Sequence, residues 1–151
     1  MAQRLMCRRL GLADAAAAET LYAELVGDEP IDIGRFSSIL DHSGSTIWGA
    51  ERDGQVVAMV TLHLLPNVTQ GGRPYGLIEN VVTLRAHQGS GAGRAVMQAA
   101  IDHAWAENAY KIMLLTGQDT GVKGFYERLG FRADQKFGMQ LRRVPPRRVA
   151  Q

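Results

Sequence analysis

Gln88-Gly-Ser-Gly-Ala-Gly-Arg94 carries Gly89, Gly91 and Gly93 between the apolar run at 77–84 and a helical pattern that starts near Gly93. Glycines at this density remove each Cβ that would hold backbone N–H groups away from an anion, and the helix that follows points its positive end at the same place. The chemistry this suits is the holding of a pyrophosphate. Donors are the N–H groups of Gly89, Ser90, Gly91, Ala92, Gly93 and Arg94, with the Arg94 guanidinium as an added charge and Gln88 and His87 flanking the loop. The first inference is therefore a phosphate-bearing cofactor.

Such a loop works only if a strand delivers it and a helix leaves it. Residues 5–10 read as a strand ending at Gly11, and Asp14 is placed to cap an alanine-rich helix reaching about Val26. The segment 27–30 stops that helix, and Ile33, Phe36, Ile39 and Leu40 mark the apolar face of a second, ending near His42. Residues 46–51 and 55–65 flank Asp53-Gly54, the two-residue link of a tight antiparallel hairpin. The turn chemistry of 66–74 leads to a strand at 75–84, antiparallel to its predecessor. After the glycines, Val96, Ala99, Ala100, His103 and Ala104 recur at helical spacing, and 112–116 reads as a buried strand. That strand, helix, parallel strand unit is right-handed by rule. A shorter helix over 122–129 stops at Gly130, and 132–142 supplies a last strand.

The chain has 151 residues, 46% hydrophobic and 21% charged, which suits one soluble globular domain. We place that domain at 1–143, followed by a basic tail at 144–151. The net charge of +2 depends on Arg142, Arg143, Arg147 and Arg148, so the body is mildly acidic and is not expected to bind nucleic acid. Apolar stretches such as 56–65 fall short of the roughly 20 residues of a membrane span. Arg4, Arg8 and Arg9 are followed by no apolar block, so no signal peptide and a cytoplasmic location are expected. Cys7 is the single cysteine, expected to be buried in its strand, and His42, His63, His87 and His103 show no zinc spacing, so no metal is expected.

Two rivals fit the glycines less well. In a dinucleotide-binding oxidoreductase the third glycine would fall at Arg94, and only about 30 residues follow Asp119, too few for the remaining strand-helix units. A P-loop lacks its Gly-Lys-Ser/Thr.

The residues Gln88-Gly89-Ser90-Gly91-Ala92-Gly93 match a pattern of Arg or Gln, two residues, Gly, one residue, then Gly or Ala. Downstream lies Gly124-Phe125-Tyr126-Glu127-Arg128-Leu129-Gly130-Phe131, a Phe/Leu-Tyr-x-x-x-Gly-Phe segment. In this order the chain resembles the GCN5-related N-acetyltransferases over nearly its whole length. Residues 76–83 and 110–116 are similar to the branch containing glucosamine-6-phosphate N-acetyltransferases. The resemblance implies an α+β fold in α/β/α layers, a mixed, mostly antiparallel sheet with a splayed parallel central strand pair, and about four helices. It also implies acetyl-CoA as co-substrate and a small-molecule amine as acceptor, with a homodimer expected because small members of the family often pair. A non-catalytic acyl-CoA-binding sensor or subunit on the same fold, or a protein or peptide N-acetyltransferase, is the alternative.

By resemblance the pantetheine arm pairs with the backbone of Val81, Val82 and Thr83, which requires the parallel strands to splay. Asp119 stands where many members have Asn, so it contacts the cofactor, serves the acceptor or ends the strand in a turn. Phe125 borders the cofactor segment and packs. Attack on a thioester needs a neutral amine, whose conjugate acid has a pKa of about 10.4, so a base is required. Glu79 is the candidate: partial burial in an apolar strand would raise its pKa, and alternation sets it on one face with Val81 and Thr83. The alternative is an exposed or structurally paired carboxylate. Tyr126 occupies the family's place for the acid that protonates the departing thiolate, against a plain packing role.

Overall fold

The computed structural model describes residues 4–146, and these form two compact units, divided between Leu114 and Leu115. In the first, five strands lie in sequence order: β1 (Leu5–Arg9), β2 (Ser45–Arg52), β3 (Gln55–Leu65), β4 (Tyr75–Thr83) and β5 (Ile112–Met113). The first four are antiparallel neighbours, and β5 joins β4 in parallel. The β2–β3 hairpin turns on Asp53 and Gly54 with φ of 51° and 78°. Two consecutive left-handed residues are what a type I′ link demands, and Asp-Gly supplies them cheaply.

Helix α1 (Ala15–Val26) buries Ala18 and Leu21 and packs Tyr22 and Leu25 beside them, the i, i+3, i+4, i+7 spacing of one helical stripe. With Phe36 of α2 (Phe36–Asp41) this stripe meets Leu10, Ile47, Met59 and Val82 in one cluster. Helix α3 (Ala92–Ala106) covers the other face through Val96, Met97, Ala100, Ile101 and Ala104. The central strand β3 is consequently buried on both sides from Val56 to Leu62. A fully buried Leu or Met contributes roughly 1.5–3 kcal/mol, so Leu21, Met59, Leu62 and Met97 anchor both layers.

Three local details differ from expectation. Asp14 spends its carboxylate on Arg8 (2.8 and 2.9 Å) and on the Gly11 N–H (2.8 Å), closing the short turn before α1 instead of capping α1 itself. Cys7 is exposed, because β1 is an edge strand paired with β2 alone. The expected buried strand at 112–116 is only Ile112–Met113, with Met113 and Leu115 exposed. Its ladder holds only Gly76↔Ile112 and Leu77↔Met113, so few neighbours exist to bury it.

In the second unit, Thr120 donates to the Gly117 carbonyl (2.9 Å) and closes a turn, after which α4 (Lys123–Arg128) runs to the Gly130 N–H, bonded to Glu127 (2.9 Å). The expected last strand at 132–142 does not form. Phe137, Met139 and Leu141 keep the alternation of a strand but are 98%, 89% and 104% exposed, for alternation makes a strand only when another edge accepts its hydrogen bonds. Of the expected basic tail, residues 147–151 lie outside the described residues.

Candidate active site

β4 is bulged at the point that matters. Met59 pairs with Val82 and Thr61 with Glu79, so Asn80 and Val81 together oppose Val60, and Asn80 takes a left-handed φ of 52°. The extra residue reverses the strand's parity. Met59 and Thr61 share a face of β3, hence Glu79 and Val82 share the α1 side of the sheet, while Val81 and Thr83 turn to the α3 side. The expectation that Glu79 lies on one face with Val81 and Thr83 is thus overturned, and so is its partial burial: Glu79 is exposed.

Among the described residues β4 has no partner on its β5 side beyond Leu77, although the strand continues to Thr83. The backbone groups of 78–83 on that edge therefore stand ready to pair with an extended guest. At the end of β4 the Gln88 side-chain amide donates to the Thr83 carbonyl (3.3 Å), holding the loop to the strand, and Arg52 donates to the Ser90 carbonyl (3.3 Å). The Ser90 hydroxyl donates to the His87 carbonyl. Gly89 has φ of 74°, and Gly91, the residue that caps α3, has φ of 86°; Gly93, by contrast, is an ordinary helical residue. The two left-handed residues curl the chain so that α3 opens with no side chain on its first N–H groups. Gln88, Gly89, Ser90, Gly91 and Arg94 are exposed, whereas Ala92 is buried and Gly93 half-buried, which makes their side-chain positions packing and leaves only backbone for a ligand.

The structure thus brings together Val81, Val82, Thr83 and the whole loop from Gln88 to Arg94. Asp119, Phe125 and Tyr126 belong to the second unit. Asp119 is exposed within the 117–120 turn. Tyr126 packs edge-to-face with Phe125 (5.1 Å) and Phe131 (6.2 Å), and burial raises its phenol above the ordinary value near 10. At neutral pH it holds its proton.

Sequence reasoning missed a polar cluster on the Glu79 side of the sheet. The Ser45 hydroxyl bonds both His42 Nδ1 (2.8 Å) and His63 Nδ1 (2.6 Å). Ser45 pairs with His63 across β2–β3, and His63 with Leu77 across β3–β4, which sets His63 diagonally beside Glu79. The signal was hidden because His42 and His63 are far apart in sequence, and bulges shift both registers. Arg73, in the link before β4, donates to the Asn108 and Ala109 carbonyls (3.1 and 3.2 Å).

Residues 7–131 match the model of the acetyltransferase (GNAT) family. The chain belongs to this family. A glucosamine 6-phosphate N-acetyltransferase of Trypanosoma brucei brucei is 35% identical over 85 residues, and that match spans 55% of this chain and 55% of the relative, about half the length of each. Among solved structures, a protein assigned as an acetyltransferase from Agrobacterium tumefaciens C58 is 41% identical with a TM-score of 0.86, over 91% of this chain and 99% of that one. An aminoglycoside N-acetyltransferase solved with CoA shares the fold at 14% identity, with a TM-score of 0.82 over 95% of this chain and 98% of that one. The GNAT fold accounts for the mixed five-stranded sheet and its helices. Among the described residues no helix is long and apolar enough to cross a membrane, and no cluster of His, Cys, Asp and Glu is arranged to hold a metal.

Proposed function

We propose that this chain transfers the acetyl group of acetyl-CoA to a primary amine of a small molecule by direct attack. The observation that carries the reading is the unpaired edge of β4 running into a glycine loop with uncapped N–H groups at the start of α3. An extended amide-bearing arm followed by a diphosphate fits that succession. Backbone of Val81 to Thr83 would pair with the arm, and N–H groups of 89–94, aided by Arg94, would take the phosphates. When bound, acetyl-CoA supplies the thioester carbonyl that the amine attacks.

Glu79, exposed beside the bulge, removes the ammonium proton directly or through a water. Tyr126 is the acid: its hydroxyl, kept protonated by burial, gives a proton to the departing sulfur. Asp119 and Phe125 remain assigned to the cofactor side by their motif positions. The kinship with an amino-sugar acetyltransferase supports an amino sugar as the first acceptor to try. Homodimerisation is part of the same reading, with exposed Phe137, Met139 and Leu141 in its support, and sedimentation velocity tests it.

The decisive experiment is release of CoA thiol from acetyl-CoA across amino sugars, polyamines, amino acids and peptide amines. Turnover with a small amine is the expected result. Binding of acetyl-CoA with no turnover across the panel overturns the reading in favour of a sensor, and turnover confined to peptide amines overturns the acceptor class.

A further inference from the structure

The His42–Ser45–His63 chain lies outside everything the transfer reaction has used so far, yet it adjoins Glu79. Ser45 is 7% exposed, and its one hydroxyl bridges two imidazoles at 2.8 and 2.6 Å. A hydroxyl has one proton to give, so at any moment it donates to one Nδ1 and accepts from the other. The two rings therefore cannot choose their tautomers independently. One end of the chain, His63, is half-buried on β3, whereas the other, His42, is exposed after α2. Thr61 pairs with Glu79 and His63 with Leu77, so His63 and Glu79 are diagonal neighbours, roughly 7–8 Å apart at Cα, within reach of one bridging water.

We propose that, once acceptor and acetyl-CoA are bound over the otherwise exposed Glu79, His63, Ser45 and His42 form a relay that carries the acceptor's proton from Glu79 to solvent. The relay rests on the amine-acetylation reading above. The steps balance as follows. With His63 protonated at Nδ1 and Ser45 donating to His42, the carboxyl of Glu79 passes its proton, through water, to His63 Nε2. His63 Nδ1–H then moves to Ser45 Oγ as the Ser45 hydroxyl proton moves to His42 Nδ1, and His42 releases its Nε2 proton to solvent. Glu79 is returned to its carboxylate, both imidazoles end neutral in the opposite tautomer, and exchange of their ring protons with water after product release restores the starting tautomers for the next turnover.

The groups acting on His63 suit this task. Burial and the neighbouring His42 push its pKa below the ordinary 6.5, and Glu79 pulls it partway back. His63 is thus neutral at pH 7 and ready to accept, and Glu79 across the strand steadies the imidazolium while the proton passes.

The test combines kinetics with a spectroscopic reading that needs no turnover. His63→Gln and Ser45→Ala are expected to lower kcat about 10-fold at pH 7 with KM little changed, less than the roughly 10²–10⁴-fold of a group that itself exchanges a proton with the reacting atoms. The loss should shrink as pH rises, since hydroxide then takes over deprotonation, and free imidazole should restore rate to His63→Ala. His42→Gln, at an exposed position, should give a milder loss without unfolding the protein. Imidazole nitrogen NMR of the wild type should show His42 and His63 titrating as a coupled pair, with Ser45→Ala separating them. A pH-independent loss with no imidazole rescue, or histidines that titrate independently in the wild type, overturns the relay. Should the wild type acetylate no amine, the proposed function fails on its own account, and the nitrogen titrations still decide whether the hydrogen-bonded chain exists.

Discussion

Replacing Gly91 tests the cradle with the fewest side effects. Gly91 has φ of 86° and ψ of −2°, and a Cβ built there meets nothing within 4 Å. The penalty for a side chain is therefore conformational and not steric crowding: about 1–2 kcal/mol for an ordinary residue in the left-handed region, and more for a β-branched one. If Gly91→Ala relaxes the loop in the free protein, restoring the cradle for ligand costs that amount, which weakens Kd for CoA by roughly 5- to 30-fold. Gly91→Asn should fall between Gly and Ala, since Asn tolerates left-handed backbone, and Gly91→Val should bind weakest. Gly71, in the turn before β4, has φ of 68° and ψ of 23° with equally open space, so Gly71→Ala is the matched control. It should lower stability while leaving CoA affinity alone. Calorimetric titration with CoA and thermal unfolding of each variant supply the two readings. Equal CoA affinity for Gly91→Val and the wild type would refute the assignment of this loop to the diphosphate.

Two further expectations follow from the titrating groups. Tyr126→Phe should leave CoA affinity near the wild-type value and reduce kcat by about 100-fold or more, measured by thiol release; an unchanged kcat removes Tyr126 as the acid. His63 and His103 both have pKa values held below 6.5 by burial, joined by the neighbouring charges of His42 and Arg9 respectively. The unfolded chain thus binds more protons than the native one as pH falls below about 6.5, so stability should decline through that window. Asp14, held low by Arg8, adds a separate loss only when pH drops into the acid range below its ordinary 3.8. Urea unfolding from pH 8 to 4 checks this, and a flat profile between 7 and 5 contradicts it.

Much of the frame was legible wherever local backbone chemistry decides the outcome. Asp53-Gly54 announced its hairpin, since two left-handed positions leave few residue choices. The α1 stripe and the glycine loop were equally plain, and Gly130 marked the end of α4. Alternation was a poorer guide. Phe137, Met139 and Leu141 have the spacing of a strand with no ladder to join, and residues 114–116 have the composition of one that β4 does not continue to pair.

By itself, then, the sequence determined which residues can turn, cap and cradle, because these depend on each residue's own φ, ψ and Cβ. It also carried the motifs that mark the family. Only the tertiary structure decided which side chains meet. One additional residue at Asn80–Val81 moves Glu79 to the opposite face from Val81 and Thr83, and leaves it exposed instead of sheltered. Cross-strand register likewise set Ser45 between two histidines distant in the chain. Register and face follow from summed pairing over several strands, so a single bulge rewrites them while hardly changing local propensity.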